Sequence, residues 1–316
     1  MHERDVTFTS AGHRLAGTLC TPDEAGPHPA ALLLPGSGPL DRDGNHRRMP
    51  LNVSRQLAHA LAAAGVATLR YDKRGVGASP GDWWAAGFLD NVADADAALT
   101  YLADLPDIRA ERLFLVGHSE GAVVATALAA RRQTLAGVVL LCGAARTGEQ
   151  VLLWQAEQIV PTLPLLVRGA LGLLRADPVR KVAANHAKIK ATTTDIARLN
   201  GVKTNARWFR EYMAYDPTVD LAKIAAPVLA ITGTKDLQVS PDDLAVIEAA
   251  AAGPVTTTLV QNLTHTLRRQ DREPSLRRYR EEIRRPVDTE VLDLLIRWIT
   301  QPVLAGRDDE ADPGAP

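Results

Sequence analysis

The stretch RLFLVGHSEGAVVATALAARR, residues 112–132, limits the fold more than any other part of the chain. An apolar run of strand length meets an alanine-rich helical run, and only GHSEG lies between them. A backbone that leaves a strand and enters a helix that quickly must bend sharply. Side chains two positions before and two after the central serine would collide in such a bend, and Gly117 and Gly121 occupy those positions. Ser119 is then held in a strained conformation at the C-terminal end of a strand, with the positive end of a helix behind it. A serine that only capped a helix would not need both glycines.

The rest of the chain repeats the alternation. PAALLLPGSG, VATLRYD, RLFLVG, GVVLLCG, PVLAITG and VTTTLVQN read as strands. LNVSRQLAHALAAAG, closed by Gly65, and NVADADAALTYLADL read as helices. VTFTSAGHRLAGTLCTP reads as an N-terminal hairpin with Gly12 near its turn, and Pro286 suits the start of a last helix, PVDTEVLDLLIRWIT. The pattern predicts an α/β fold, a mostly parallel central sheet flanked by helices.

One interval is too long for a single crossover helix. Between GVVLLCG and PVLAITG the chain is largely helical in character, and this excess predicts an inserted helical cap at 146–221 over a substrate pocket. The cap contains VLLWQAEQIVPTLPLLVRGALGLL, apolar but broken by Pro161, Pro164 and Arg168. The core is then discontinuous, 1–145 and 222–304, and the acidic, Pro- and Gly-containing end at 305–316 reads as a disordered tail.

A serine is a weak nucleophile and needs a base that is itself oriented by an acid. His118 is adjacent to Ser119, but a sharp turn sends neighbouring side chains in different directions, so it is expected to pack against or bond a nearby loop. Asp236 lies just past the strand PVLAITG, and His265 just past VTTTLVQN; Asp242 and Asp243 fit a helix start better. The order Ser119, Asp236, His265 is that of α/β-hydrolases. The backbone N–H of Glu120 is one expected oxyanion donor, and that of Ser37, in the loop LLLPGSGPLDRDGN, is the second.

Five stretches together, PGSGPLDRDGN, LRYDKRGVGAS, VGHSEGA, ITGTKDLQV and NLTHTL, resemble the bacterial serine carboxylesterase group of the α/β-hydrolase superfamily. The resemblance spans about residues 30–300. It implies ester hydrolysis through an acyl-enzyme, with Ser119 as nucleophile, Asp236 as acid, His265 as base and a helical cap over the site. The group carries a second glycine after the elbow where this chain has Ala122, a change expected to affect helix packing rather than chemistry.

Other features have narrower readings. Asp72 is expected to anchor a turn, and Asp41, Arg42, Asp43 and Asn45 to brace the loop after Ser37. The Glu120 side chain is expected to be ion-paired. RRQDREPSLRRYREEIRR, from Arg268 to Arg285, interleaves acids with its arginines and reads as a solvated, internally paired helical surface. Trp83, Trp84 and Trp154 are candidate substrate-pocket residues.

Lys and Arg total 36 against 37 Asp and Glu, a net charge of −1, which argues against nucleic acid as a partner. No apolar run reaches the ~20 residues of a membrane span. The N-terminus lacks an apolar signal core, so a cytoplasmic location is expected. Cys20 and Cys142 are expected to be buried free thiols. No HExxH, paired CxxC or phosphate-loop motif is present, so no metal and no cofactor are expected. The expected function is hydrolysis of small to medium hydrophobic acyl or aryl carboxylic esters. An acyl-CoA thioesterase or acyltransferase, or a non-catalytic small-molecule receptor on the same fold, are the alternatives. The partner expected is a small-molecule ester, and a homodimer is left open.

Overall fold

The computed structural model describes residues 1–164 and 177–301. The main strands are β1 (His2–Ser10), β2 (His13–Thr21), β3 (His28–Leu34), β6 (Ala67–Tyr71), β7 (Ile108–His118), β8 (Gly137–Leu141), β11 (Val228–Gly233) and β12 (Val255–Val260). They form one eight-stranded sheet in the order β1-β2-β6-β3-β7-β8-β11-β12. β1 pairs antiparallel with β2, and β2 with β6; every other pairing is parallel. A minimal hairpin, β4 (Asn45–His46) with β5 (Met49–Pro50), stands in the loop after β3.

The parallel strands are covered on both faces, which is why they read as unbroken apolar runs. Successive side chains alternate between two cores. Leu32, Leu115 and Leu140 face α2 (Phe88–Ala103) and α3 (Glu120–Ala129), whereas Leu33, Val116 and Leu141 face α1 (Val53–Ala63) and the last helix, Thr289–Thr300. In α2, Phe88, Val92, Ala95, Leu99 and Leu102 repeat at three and four residues and make a single buried stripe. Every residue of α3 is buried, which suits its run of small side chains. Gly65 follows α1 with positive φ, and its N–H and that of Val66 bond back to Ala62 and Leu61, closing the helix. The last helix starts one turn later than Pro286 suggests: Asp288 is its cap and accepts the Glu290 N–H.

An insertion leaves the sheet after β8 and returns at β11. It holds α4 (Gly148–Ile159), a helix at Pro178–Lys190, a hairpin of β9 (Ile196–Leu199) and β10 (Val202–Asn205), and helices at Ala206–Ala214 and Pro217–Leu221. The hairpin is the strand element that the expectation of a helical cap does not include. Its turn is Asn200-Gly201, both at positive φ, the dipeptide that best closes a two-residue hairpin. Arg168 and the rest of residues 165–176 lie outside the described residues, as does the 305–316 segment. Cys20 and Cys142 are buried and free. No helix among the described residues is long and apolar enough to cross a membrane.

Candidate active site

Ser119 sits between β7 and α3 at φ 58° and ψ −121°, outside the helical and extended regions. Such a conformation costs about 1–3 kcal/mol and persists only where its surroundings enforce it. Close packing does so here. A Cβ on Gly117 would lie 2.1 Å from the Gly121 carbonyl oxygen, and one on Gly121 would lie 2.0 Å from that of Leu34. Although Ser119 occupies the N-cap position of α3, its hydroxyl makes no capping bond. It faces His265 Nε2 instead, at 2.9 Å.

His265 lies in the loop after β12 and Asp236 in the loop after β11. His265 Nδ1 is 2.8 Å from Asp236 Oδ2, and Asp236 Oδ1 accepts the N–H groups of Gln238 and Val239. The structure thus joins three residues far apart in sequence into one hydrogen-bonded chain. Burial pushes the Asp236 carboxyl up, but the His265 ring and the two backbone amides outweigh it and hold the group below the usual carboxylate range.

His118 makes no contact that would let it act on Ser119. Its Nε2 donates to the His265 carbonyl oxygen at 2.8 Å. Burial, and then repulsion from His265, push its pKa down to about 3, so the ring is neutral.

The segment from Arg268 to Arg285 is not a solvated helix. It contains a 3-10 turn at Leu276–Arg278 and one helical turn at Tyr279–Glu282, and Arg268, Gln270 and Glu282 are buried. The cause is the loop that carries His265. The hydroxyls of Thr264 and Thr266, on either side of His265, both donate to Glu282 Oε2. Arg268 donates to the carbonyls of Thr266, Leu51 and Arg285. Burial pulls the Arg268 guanidinium down to about 10, still charged at neutral pH. Spacing of charges along the sequence gives no sign of this arrangement.

The loop after β3 presses on Ser119. A Cβ on Gly36 would come within 3.3 Å of Ser119 Cβ. Asp41 accepts from the amides of Asp43 and Asn45, and Asn45 from that of Asn52, so the loop is braced as expected. Asp72 accepts the amides of Arg42 and Ala78 and pairs with the Arg42 guanidinium, as a turn anchor. The Glu120 carboxylate is buried and fully engaged: Lys73 on one oxygen at 3.1 Å, Asn91 and the Trp208 indole on the other at 2.9 and 2.7 Å. The Lys73 ammonium also donates to the Gly36 carbonyl at 2.7 Å.

Two cavities meet at Ser119, sharing Ser37, Ser119 and Gln238. One, of about 200 Å³, includes Leu40, His46, Met49, Leu51, His118 and His265. The other, of about 50 Å³, lies under the insertion and includes Glu120, Val123, Val151, Leu152, Trp208 and Tyr212. Trp83, Trp84 and Trp154 line neither. Trp83 packs edge-on against Trp84 and its carbonyl accepts from Asn205, and the Lys203 ammonium lies 4.8 Å from the centre of the Trp84 ring. The tryptophan at the site is Trp208, which no motif signals. His118, Cys142 and His265 bring potential ligand atoms within 4.8 Å of one another, but Asp236 and Ser119 already engage both nitrogens of His265.

Residues 51–272 match the model of the serine aminopeptidase S33 family. The chain belongs to this family of α/β hydrolases. Among curated relatives, Esterase EstD of Thermotoga maritima is 25% identical to this hydrolase over 302 residues, covering 95% of this chain and 68% of the relative. An uncharacterized protein of Mycobacterium tuberculosis is 34% identical over 137 residues, 43% of this chain and 44% of that one. Among solved structures, the α/β hydrolase GrgF from Penicillium sp. sh18 superposes with a TM-score of 0.63 at 16% identity, over 95% of this chain and 98% of that one. Ferulic-acid-bound Est1E from Butyrivibrio proteoclasticus gives 0.61 at 18% identity, over 93% and 96%. The fold is therefore that of the α/β hydrolases.

Proposed function

We propose that this hydrolase is a serine carboxylesterase that works through an acyl-enzyme, with the insertion as a cap over its substrate. His265 takes the Ser119 proton as Oγ attacks the ester carbonyl. Asp236 keeps the imidazole oriented and balances the charge it gains. The amides of Ser37 and Glu120 hold the oxyanion; among the described residues, neither amide has a hydrogen-bond acceptor. His265 then protonates the leaving alcohol and activates a water that releases the acid.

The observation that carries this reading is the Ser119–His265–Asp236 chain at the junction of two cavities. The leaving oxygen must receive its proton from His265, and His265 lines the larger cavity, so the alcohol belongs there. The acyl group then occupies the smaller, cap-side cavity. Its volume of about 50 Å³, against the ~30 Å³ that one water occupies in the liquid, favours a short acyl chain.

Ester rather than aminopeptide chemistry is favoured by charge. An aminopeptidase must hold a substrate ammonium, and Glu120 is the one carboxylate among the described residues lining the two cavities. Its oxygens are already taken by Lys73, Asn91 and Trp208. The test is turnover of p-nitrophenyl butyrate together with labelling by a fluorophosphonate. Wild-type protein is expected to hydrolyse the ester and to label at Ser119. Unlabelled folded protein would mean a receptor, and faster turnover of butyryl-CoA than of the ester would mean a thioesterase.

A further inference from the structure

We propose that Lys73 is a positioning residue for the oxyanion site, acting through the two residues whose amides form it; this rests on the esterase reading. Lys73 follows β6, is buried, and reaches neither cavity. Its ammonium has two partners, the Gly36 carbonyl at 2.7 Å and Glu120 Oε2 at 3.1 Å. Each partner bears directly on one oxyanion donor.

The Gly36 carbonyl and the Ser37 N–H belong to the same peptide unit. In a planar trans peptide they point in opposite directions, so a cation that fixes the carbonyl also fixes the N–H. That unit needs an external hold. A Cβ at residue 36 would crowd Ser119, and the glycine that stands there leaves its own backbone free to turn. A cation on the carbonyl also polarises the peptide and strengthens its N–H as a donor. On the other side, Glu120 supplies the second donor from its backbone while its carboxylate holds Lys73. One ammonium thus ties the β3 loop to the start of α3 across the position where the oxyanion forms.

A merely structural Lys73 would serve only as the counterion of Glu120. The two roles separate when both charges are removed, because a neutral pair leaves no buried charge unbalanced. Lys73→Met is therefore made in the Glu120→Gln background and compared with Glu120→Gln alone. Both are assayed for p-nitrophenyl butyrate kinetics and for inhibition by an alkyl trifluoromethyl ketone, which forms the tetrahedral adduct. Losing an oxyanion donor outright costs about 10²–10³ in kcat, so misplacing one is expected to lower kcat about tenfold. KM should stay within about threefold, and ketone affinity should fall with kcat. Equal kcat and equal ketone affinity in the two variants would overturn the proposal. The single variant Lys73→Arg, which keeps the cation, is expected to retain more than half of wild-type kcat; a tenfold loss there without a change in thermal midpoint would also count against it. Failure of the esterase reading is separately visible, because wild-type protein would then either fail to label or turn over butyryl-CoA faster than the ester.

Discussion

His118 donates through Nε2 to the backbone carbonyl of His265 at 2.8 Å, so the histidine next to Ser119 supports the histidine that faces it. The two rings lie 5.1 Å apart. Burial, and then repulsion from His265, keep His118 neutral.

That neutrality has a cost in acid. The folded pKa of His118, about 3, is below the ordinary value of 6.5, so the unfolded chain binds the proton first. Its contribution to stability is complete above pH 6.5 and is lost as pH falls from 6.5 toward 3. Between pH 6.5 and 4.5 the loss is expected to be on the order of 2–3 kcal/mol. Asp236, also depressed, adds to the loss at lower pH. Urea denaturation across this range should show a clear slope, and His118→Asn should flatten it; an unchanged slope would refute the assignment.

Removal of the acid tests the proposed roles. Asp236→Asn leaves a side chain of the same shape but favours the wrong His265 tautomer. A loss of about 10⁴ in kcat with little change in KM is expected. Ser119→Ala should abolish acyl-enzyme formation, read as the absence of a burst in p-nitrophenol release.

On the proposed placing of the acyl group in the smaller cavity, Trp208 is the residue that limits acyl length. Trp208→Ala is expected to raise kcat/KM for p-nitrophenyl octanoate relative to the acetate by about tenfold. The ratio of phenyl to ethyl acetate turnover should not move, because the alcohol occupies the other cavity. A shift in the alcohol ratio instead would reverse the assignment of the two sides.

Glu282 holds the His265 loop through Thr264, Thr266 and Gln270. Glu282→Ala removes the carboxylate that offsets the buried Arg268 cation and on which Thr264, Thr266 and Gln270 converge. A loss of about 3 kcal/mol in chemical denaturation is expected, together with a lower kcat.

The legible parts of the site were those with a local cause. Gly117 and Gly121 betray the bend because the clash they avoid lies within five residues. Asp236 and His265 could be picked out because each follows an apolar run that has to be a buried strand, and the ends of parallel strands lie together. The β9–β10 hairpin was not legible from hydrophobic periodicity. Its arms are only four residues long, and Asn200-Gly201 was the one local signal. The Arg268–Arg285 segment misled for a different reason. Mixed charge in sequence resembles a solvated surface, whereas Arg268 finds three carbonyls and Glu282 two hydroxyls only after the chain has folded back.

By itself the sequence determined the α/β architecture, the bend at Ser119 and the order of the three polar residues, because steric exclusion and burial of apolar runs act over short stretches. Only the tertiary structure decided what surrounds them. Trp208 instead of Trp83, Trp84 or Trp154 reaches the cavity, Lys73 joins Gly36 to Glu120, and His118 braces His265. These contacts join residues tens to more than a hundred positions apart, and their partners are set by how the loops and the insertion pack over the C-terminal ends of the strands rather than by any property of the residues alone.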